Sequence, residues 1–367
     1  MNFDIQPSAL LRNKPNSISL PQRFREELGI LVGQFLQLRG KEELHLEVCN
    51  ALSPRQEIAY IAPENFEKIQ GQDVEFRILD VTLGCDPEFF IMWGNRKISA
   101  ATYLPFQGQI GCDGELGELR PMYGRHEDQV VANLQRLIPI IPRQLRRSKW
   151  ARGFPDDGSK FTYEAHSYYY ATAAGFHVHL GIPAEILNTQ KSFNRAAMNH
   201  IVRCLDWYVS VPLVPLESNH QRRLGNSQYG EPGDYRPSNM TLEYRTPGGF
   251  YLRSPRLAKG LLGLTLMITE AIVSRMKTAS KGFTKLHQLT NADLHEIMPI
   301  PEPGKIRGTL KHRDTRVAED QIPAIRAEMQ KLPNYEAHRE SVEGFFRAVD
   351  DGVQPGPDLL QNWKETA

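Results

Sequence analysis

The chain has 367 residues, with 44 Lys+Arg against 43 Asp+Glu and a formal net charge of +1 with His neutral. With 40% hydrophobic, 24% charged and 9% aromatic residues, it has the composition of an ordinary globular protein of roughly two domains. A near-zero net charge argues against a protein whose main business is coating nucleic acid or an anionic membrane, because either needs a positive excess.

Asp4, Pro7, Arg12 and Lys14 interrupt the N-terminus, so no secretory signal is expected. No stretch approaches the roughly 20 apolar residues of a membrane span. Cys49, Cys85, Cys112 and Cys204 are scattered without a C-x-x-C pair, so a reducing, cytoplasmic setting is expected. Residues 1–80 are expected to form an N-terminal extension or small α/β unit. There Gln22 to Leu38 carries a helical apolar rhythm (Phe24, Leu28, Leu31, Phe35, Leu38), and Leu44, Leu46 and Val48 alternate like a strand.

From residue 83 the texture becomes strand-like. Leu83 to Trp93 predicts a strand, Gly94-Asn95 a hairpin turn, Arg96 to Tyr103 its partner and Gln109 to Pro121 a further strand. An amphipathic helix follows over Glu127 to Arg147, broken by Pro139 and Pro142. A Tyr-rich segment then leads into a strand over Gly175 to Ile182, and a helix over Gln190 to Val211. A Gly/Asn/Arg-rich loop over Glu217 to Ser238 precedes the last strand, Met240 to Thr246. Ser254-Pro255 is an N-cap followed by an N1 proline, launching a helix to about Met276. Residues 281–367 read as a polar helical tail interrupted at Pro299 to Pro303.

The informative pattern is a set of i, i+2 pairs, which share a face on a strand: Asp86 and Glu88, Glu118 and Arg120, His177 and His179, Glu243 and Arg245. Singly, each is what any strand with one wet face shows by chance. If the strands share a sheet, however, one face gathers four carboxylates, two imidazoles and two guanidiniums. Burying such carboxylates is costly unless cations compensate them. Asp/Glu oxygens with an occasional His suit Mg²⁺ or Mn²⁺, and arginines on the same face suit phosphate. Metal, arginine and acid together indicate phosphoryl chemistry with a nucleotide. The sequence contains no Walker loop, kinase signature, dinucleotide fingerprint or nucleophile elbow, so a nucleotide would sit on this sheet face.

Gly84-Cys85-Asp86-Pro87-Glu88-Phe89-Phe90 resembles the G-x-E-P-E-F-F strand of glutamine synthetase, Gly175-Phe176-His177-Val178-His179 its G-x-H-x-H strand, and Leu242-Glu243-Tyr244-Arg245 its late E-x-R strand, in the same chain order. Asp113-Gly114 with Glu118-Leu119-Arg120-Pro121, and the phrase T-L-E-Y-R-T-P-G-G-F, are more similar to the glutamate–cysteine ligase-like branch. Within that branch they look closest to phage-associated carboxylate–amine ligases of type 2. The resemblance covers about residues 82 to 270.

It implies an α+β fold: a curved antiparallel sheet forming an open funnel, with helices on its outer face, a ligase core over 81–280, and ATP with two or three Mg²⁺ or Mn²⁺ ions on the concave side. Glu88 would ligate one ion with Glu118 or Asp113, while Asp86, His177 and Glu243 would hold another nearer the phosphates. His179 would contact nucleotide or phosphate, Arg245 would stabilise the transferring phosphoryl group, and Arg236 would be a second clamp, with Arg222 and Arg223 as weaker ones in a solvated loop. The activity implied is ATP-dependent amide formation between a carboxylate and an amine, small or carried on a peptide or protein, through an acyl phosphate. Glu217, Glu231 and Asp234 are candidate bases, and the loop glycines Gly225, Gly230 and Gly233 suit a lid. Ala173-Ala174 replaces the Asn-Gly that helps hold glutamate in glutamine synthetase, so glutamine synthesis is not expected. Related synthetases complete sites across subunits, which leaves a homo-oligomer open, and a phage-encoded chain would work in the host cytoplasm. Three other readings remain: a phosphotransferase on the same fold, a cupin-like mononuclear oxygenase using His177, His179 and Glu185, and a non-catalytic homologue.

Overall fold

The computed structural model describes residues 4–28, 30, 32, 35–41, 43–52, 57–79, 81–148, 161–187, 192–217, 219, 221–224, 229–238, 241–352 and 354–364. The chain divides into two compact units, Met1–Asp80 and Val81–Ala367.

The first unit is a six-stranded mixed sheet, ordered Asp4–Pro7, Ile58–Ile61, Ser17–Ser19, Glu43–Cys49, Phe35–Arg39, Glu75–Leu79. The expected long helix is corrected here. It spans only Gln22–Leu28, and Phe35–Arg39 is a strand paired antiparallel with Glu43–Cys49. Leu36 and Leu38, two apart and both buried, pack with Leu44 and Leu46. Their period of two overrides the helical spacing that Phe35 and Leu38 share with Phe24 and Leu28. Leu31 lies outside the described residues.

The second unit is built on an eight-stranded antiparallel sheet. Its order is Tyr235–Pro237, Leu242–Tyr244, Phe176–Gly181, Thr82–Trp93, Leu116–Leu119, Ile110–Asp113, and Phe161–Glu164 and Arg96–Ile98 also pair with the Thr82–Trp93 strand. The predicted strand over Gln109 to Pro121 is two strands, Ile110–Asp113 and Leu116–Leu119, folded back over Gly114-Glu115. Gly114, with φ +54°, takes the first position of a two-residue hairpin loop, where glycine is favoured, and the turn wins over a continuous run. Met240 and Gln190, the predicted starts of the last strand and of its preceding helix, lie outside the described residues.

One face of this sheet is apolar. Cys85, Phe89, Ile91, Phe176, Val178, Leu180, Leu242 and Tyr244 are buried in one core with the helices. The intervening residues, among them Asp86, Glu88, His177, His179, Glu243 and Arg245, therefore face the other way. At the centre of the helical layer lies Pro255–Ala279. It begins at the predicted N-cap, where Ser254 Oγ accepts from Leu257 N–H at 3.3 Å. Contrary to the sequence-based expectation, this helix is long and apolar enough to cross a membrane, but 83% of its most apolar window is buried inside the protein. The C-terminal helices Asn291–Ile297, Pro303–His312, Thr315–Met329 and Tyr335–Asp351 contribute Leu294, Leu310, Ile325, Phe345 and Phe346 to the same core.

Candidate active site

The register of the sheet brings the four pairs together. Asp86 lies opposite His177, Glu88 opposite Glu118, and His179 opposite Glu243. Cross-strand neighbours share a face, so all the strand candidates converge on the face turned away from the helical core.

Asp86, His177 and Glu243 place ligand atoms within 4.8 Å of one another. Each carboxylate has one oxygen held and one free of hydrogen bonds. Asp86 Oδ2 lies 3.0 Å from His179 Nε2, and Glu243 Oε2 accepts from Arg236 Nε at 2.6 Å. The other oxygens, Asp86 Oδ1 and Glu243 Oε1, are buried without a hydrogen-bond partner, and lie 3.4 and 3.8 Å from His177 Nδ1. Ligands around one small divalent ion stand roughly 3 Å apart, so these three donors fit an Mg²⁺- or Mn²⁺-type ion, with His179 and Arg236 holding the carboxylates from outside. Burial alone would raise the Asp86 carboxyl, but the neighbouring imidazoles of His177 and His179 hold it well below the usual range. For His179 burial works against protonation, yet Asp86 raises it. Gly175 leaves room for this arrangement, because a Cβ there would collide with the His177 ring.

Glu88 and Glu118 lie side by side but outside that trio. Glu88 is buried, which raises its carboxyl. It accepts hydrogen bonds from Gly175 N–H at 2.6 Å and the Tyr229 hydroxyl at 2.9 Å, both on Oε2. Glu118 is also buried and is engaged by Arg120, whose guanidinium additionally donates to the carbonyls of Gly108 and Cys112. Asp113 is exposed in the hairpin turn, and Glu185, the third member of the oxygenase reading, is exposed on the short Ala184–Leu187 helix, apart from the trio.

The basic residues divide differently from the expected solvated loop. Arg222 and Arg223 are fully buried. Arg222 donates to the Arg245 and Thr246 carbonyls, both at 2.7 Å, and Arg223 pairs with buried Glu217. A buried guanidinium needs acceptors or a counter-charge: Arg222 finds two backbone carbonyls just past the Leu242–Tyr244 strand, and Arg223 finds the Glu217 carboxylate. Arg236, by contrast, has a side chain 65% exposed, and that of Arg245 is 22% exposed, 3.3 Å from Glu243. The candidate bases are all engaged: Glu217 by Arg223, Glu231 by Arg307 and Lys311, and Asp234 by Gly230 N–H and Arg245. Gly225 lies outside the described residues. Sequence reasoning missed Tyr229, whose only signal was a lone aromatic ahead of Gly-Glu-Pro in a polar loop.

From behind the sheet, Asp206 fixes the strand that bears Glu243. It sits in a π-helical turn, Asp206–Ser210, and accepts from the Tyr244 and Thr246 hydroxyls at 2.8 and 2.9 Å. Burial, only partly offset by these bonds, lifts its carboxyl to about 6.

A second His–carboxylate group lies among the helices. His338 donates through Nδ1 to Glu127 at 3.0 Å and through Nε2 to Glu270 at 3.2 Å. Asn334 also bonds Glu270, and Ser341 bonds the other oxygen of Glu127. Burial opposes protonation of His338, but the two carboxylates push it up to about 10. His126 stacks on His338 with ring centroids 5.5 Å apart.

No curated protein matches the chain in sequence. Among solved structures, a bifunctional glutathione synthetase from Pasteurella multocida is 9% identical with a TM-score of 0.34, covering 75% of this chain and 52% of that one, so the chain spans about half its length. A novel glutamine synthase homologue is 11% identical with a TM-score of 0.30, covering 84% of this chain and 82% of that one. Neither likeness bears on the chemistry of this site. The family comparison matches residues 83–293, which span every strand of the His177 trio as well as Glu88, Glu118, Arg236 and Arg245, and by that match the chain belongs to the phage phiEco32-like COOH.NH2 ligase-type 2 family.

Proposed function

We propose that the protein is an ATP-dependent carboxylate–amine ligase that forms an amide through an acyl phosphate. The observation that carries this reading is the pair of buried oxygens without a hydrogen bond, Asp86 Oδ1 and Glu243 Oε1, both within 3.8 Å of His177 Nδ1, with Arg245 and Arg236 against Glu243. Asp86, His177 and Glu243 would hold one divalent ion, and Glu88 with Glu118 a second. When bound, such ions supply neutralisation of phosphate charge.

Arg245 and Arg236 would meet the phosphate oxygens, where charge-assisted contacts strengthen as the γ-phosphoryl group leaves ADP. His179, fixed by Asp86, would donate to the nucleotide phosphates. The substrate carboxylate attacks the γ-phosphorus, its oxygen–phosphorus bond replacing the one to ADP. A deprotonated amine then attacks the acyl carbon and phosphate departs.

Trapping tests this directly. With ATP, Mg²⁺, pooled carboxylates and hydroxylamine, the protein is expected to release ADP and yield hydroxamates in equal amount. Absence of both, together with no rise in melting temperature on adding Mg²⁺ and ATP, would remove the reading. Release of ADP with a stable phosphorylated product and no hydroxamate would favour the phosphotransferase.

A further inference from the structure

Tyr229 touches both halves of the site described above. Its hydroxyl donates to Glu88 Oε2 at 2.9 Å. The guanidinium carbons of Arg222 and Arg245 each lie 4.8 Å from its ring centroid. The His177 ring meets it edge-on at 5.4 Å and 90°.

Two guanidiniums against one tyrosine ring repel each other, and here the electron-rich faces of the ring compensate. Arg222 is immobilised by the Arg245 and Thr246 carbonyls, so it acts as the fixed partner. Gly230, the next residue, has φ +73° and no Cβ, and a side chain there would collide with the Arg222 guanidinium. The loop can therefore lay Tyr229 against Arg222 only because position 230 is glycine.

We infer that Tyr229 is a positioning residue with two separable tasks: its hydroxyl sets the rotamer of Glu88, and its ring sets the plane of Arg245. This rests on the ligase reading, since it assigns Glu88 to an ion and Arg245 to phosphate. The Tyr229 and Gly175 bonds both fall on Oε2, so neither occupies Oε1 of Glu88, whose cross-strand neighbour is Glu118. Outer partners of ligands of this kind typically change metal affinity or activity by about 10- to 100-fold.

The two tasks predict two different phenotypes, read by Mn²⁺ binding in electron paramagnetic resonance titrations with ATP and by ADP release with pooled carboxylates. Tyr229→Phe keeps the ring and loses the hydroxyl, so the half-saturating Mn²⁺ concentration should rise about tenfold. Tyr229→Leu loses both, so ADP release at saturating Mn²⁺ should fall by about a further tenfold. Melting temperatures are recorded for both variants. Equal Mn²⁺ affinity in the wild type and Tyr229→Phe overturns the inference. So does a loss in both variants that tracks melting temperature alone, which would make Tyr229 merely structural. A wild type that binds neither Mn²⁺ nor ATP removes the ligase reading and this inference together. A wild type that binds both while Tyr229→Phe matches it removes the inference alone.

Discussion

Asp86, His177 and Glu243 on the sheet, and His126, Glu127 and His338 among the helices, are nearly the same donor set, each with its ligand atoms within 4.8 Å. Their partners differ. In the helical group both His338 nitrogens meet carboxylates, and the oxygens of Glu127 are shared between His338 and Ser341. A protonated imidazole there already supplies the positive charge that buried acids require. In the sheet group an oxygen on each carboxylate has no hydrogen bond: Asp86 Oδ1 lies 3.4 Å from His177 Nδ1 and Glu243 Oε1 lies 3.3 Å from Arg245 Nε, while His179 and Arg236 hold the opposite edges. The first group is a closed clasp joining the Glu127–Leu137, Pro255–Ala279 and Tyr335–Asp351 helices. The second leaves one oxygen of each carboxylate without a hydrogen bond. Composition alone does not separate a metal site from a structural ion pair; the state of each lone pair does.

The sharpest way to break this comparison is to remove the imidazole of the clasp. His338→Leu leaves buried Glu127 and half-buried Glu270 without their cation and should cost about 3–5 kcal/mol in urea unfolding. A loss under about 1 kcal/mol would mean that the clasp is not a clasp.

The matching change on the sheet should do the opposite. Glu243→Gln should lower ADP release by about 10²–10³-fold, the loss of several kcal/mol of charge stabilisation, while the melting temperature holds, because the amide keeps the side chain's shape and its partner Arg236 is left facing water. If it drops as in the His338 variant, the sheet group is structural too.

Ligand linkage sharpens the contrast further. At about a hundredfold excess over Kd, Mn²⁺ should stabilise the wild type by about 2.7 kcal/mol. His338→Gln should retain that increment, and Asp86→Asn should lose it.

pH separates them next. His338 is raised in the folded state from 6.5 to about 10, so the native state binds its proton more tightly than the unfolded chain does. Its stabilisation is fully present below about pH 6.5 and is lost as pH rises toward about 10. The stability difference between wild type and His338→Gln should shrink across that window, and a constant difference would contradict the protonated clasp. Smallest of all, Arg236→Ala should change stability by less than about 1 kcal/mol despite its 2.6 Å contact with Glu243, because its side chain is 65% exposed. A larger loss would show that Arg236 holds the fold and is not poised for a ligand.

The strand pairs were legible in the sequence because period-two geometry is local. Once Thr82–Trp93 is a strand, Asp86 and Glu88 must share a face. The same holds for the cap and first turn of Pro255–Ala279, where the neighbours of Ser254 and Pro255 decide the outcome. The Phe35–Leu38 stretch failed because its apolar residues satisfy two periods at once, and only pairing with Glu43–Cys49 chose between them. The fate of the loop arginines was equally invisible. Arg222 and Arg223 look solvated in a Gly/Asn/Arg-rich segment, yet they are buried, because Arg222 meets the Arg245 and Thr246 carbonyls, 23 and 24 residues further on, and Arg223 meets Glu217.

What the sequence by itself determined is the inventory of the site: which carboxylates, imidazoles and guanidiniums face one way, since alternation along a strand needs no knowledge of the rest of the chain. What only the tertiary structure decided is which of their atoms are already spoken for. His338 and Glu127 are 211 residues apart, and Tyr229 and Glu88 are 141 apart. Hydrogen-bond satisfaction at such distances depends on how elements pack together, and it is this that distinguishes the closed cluster from the open one.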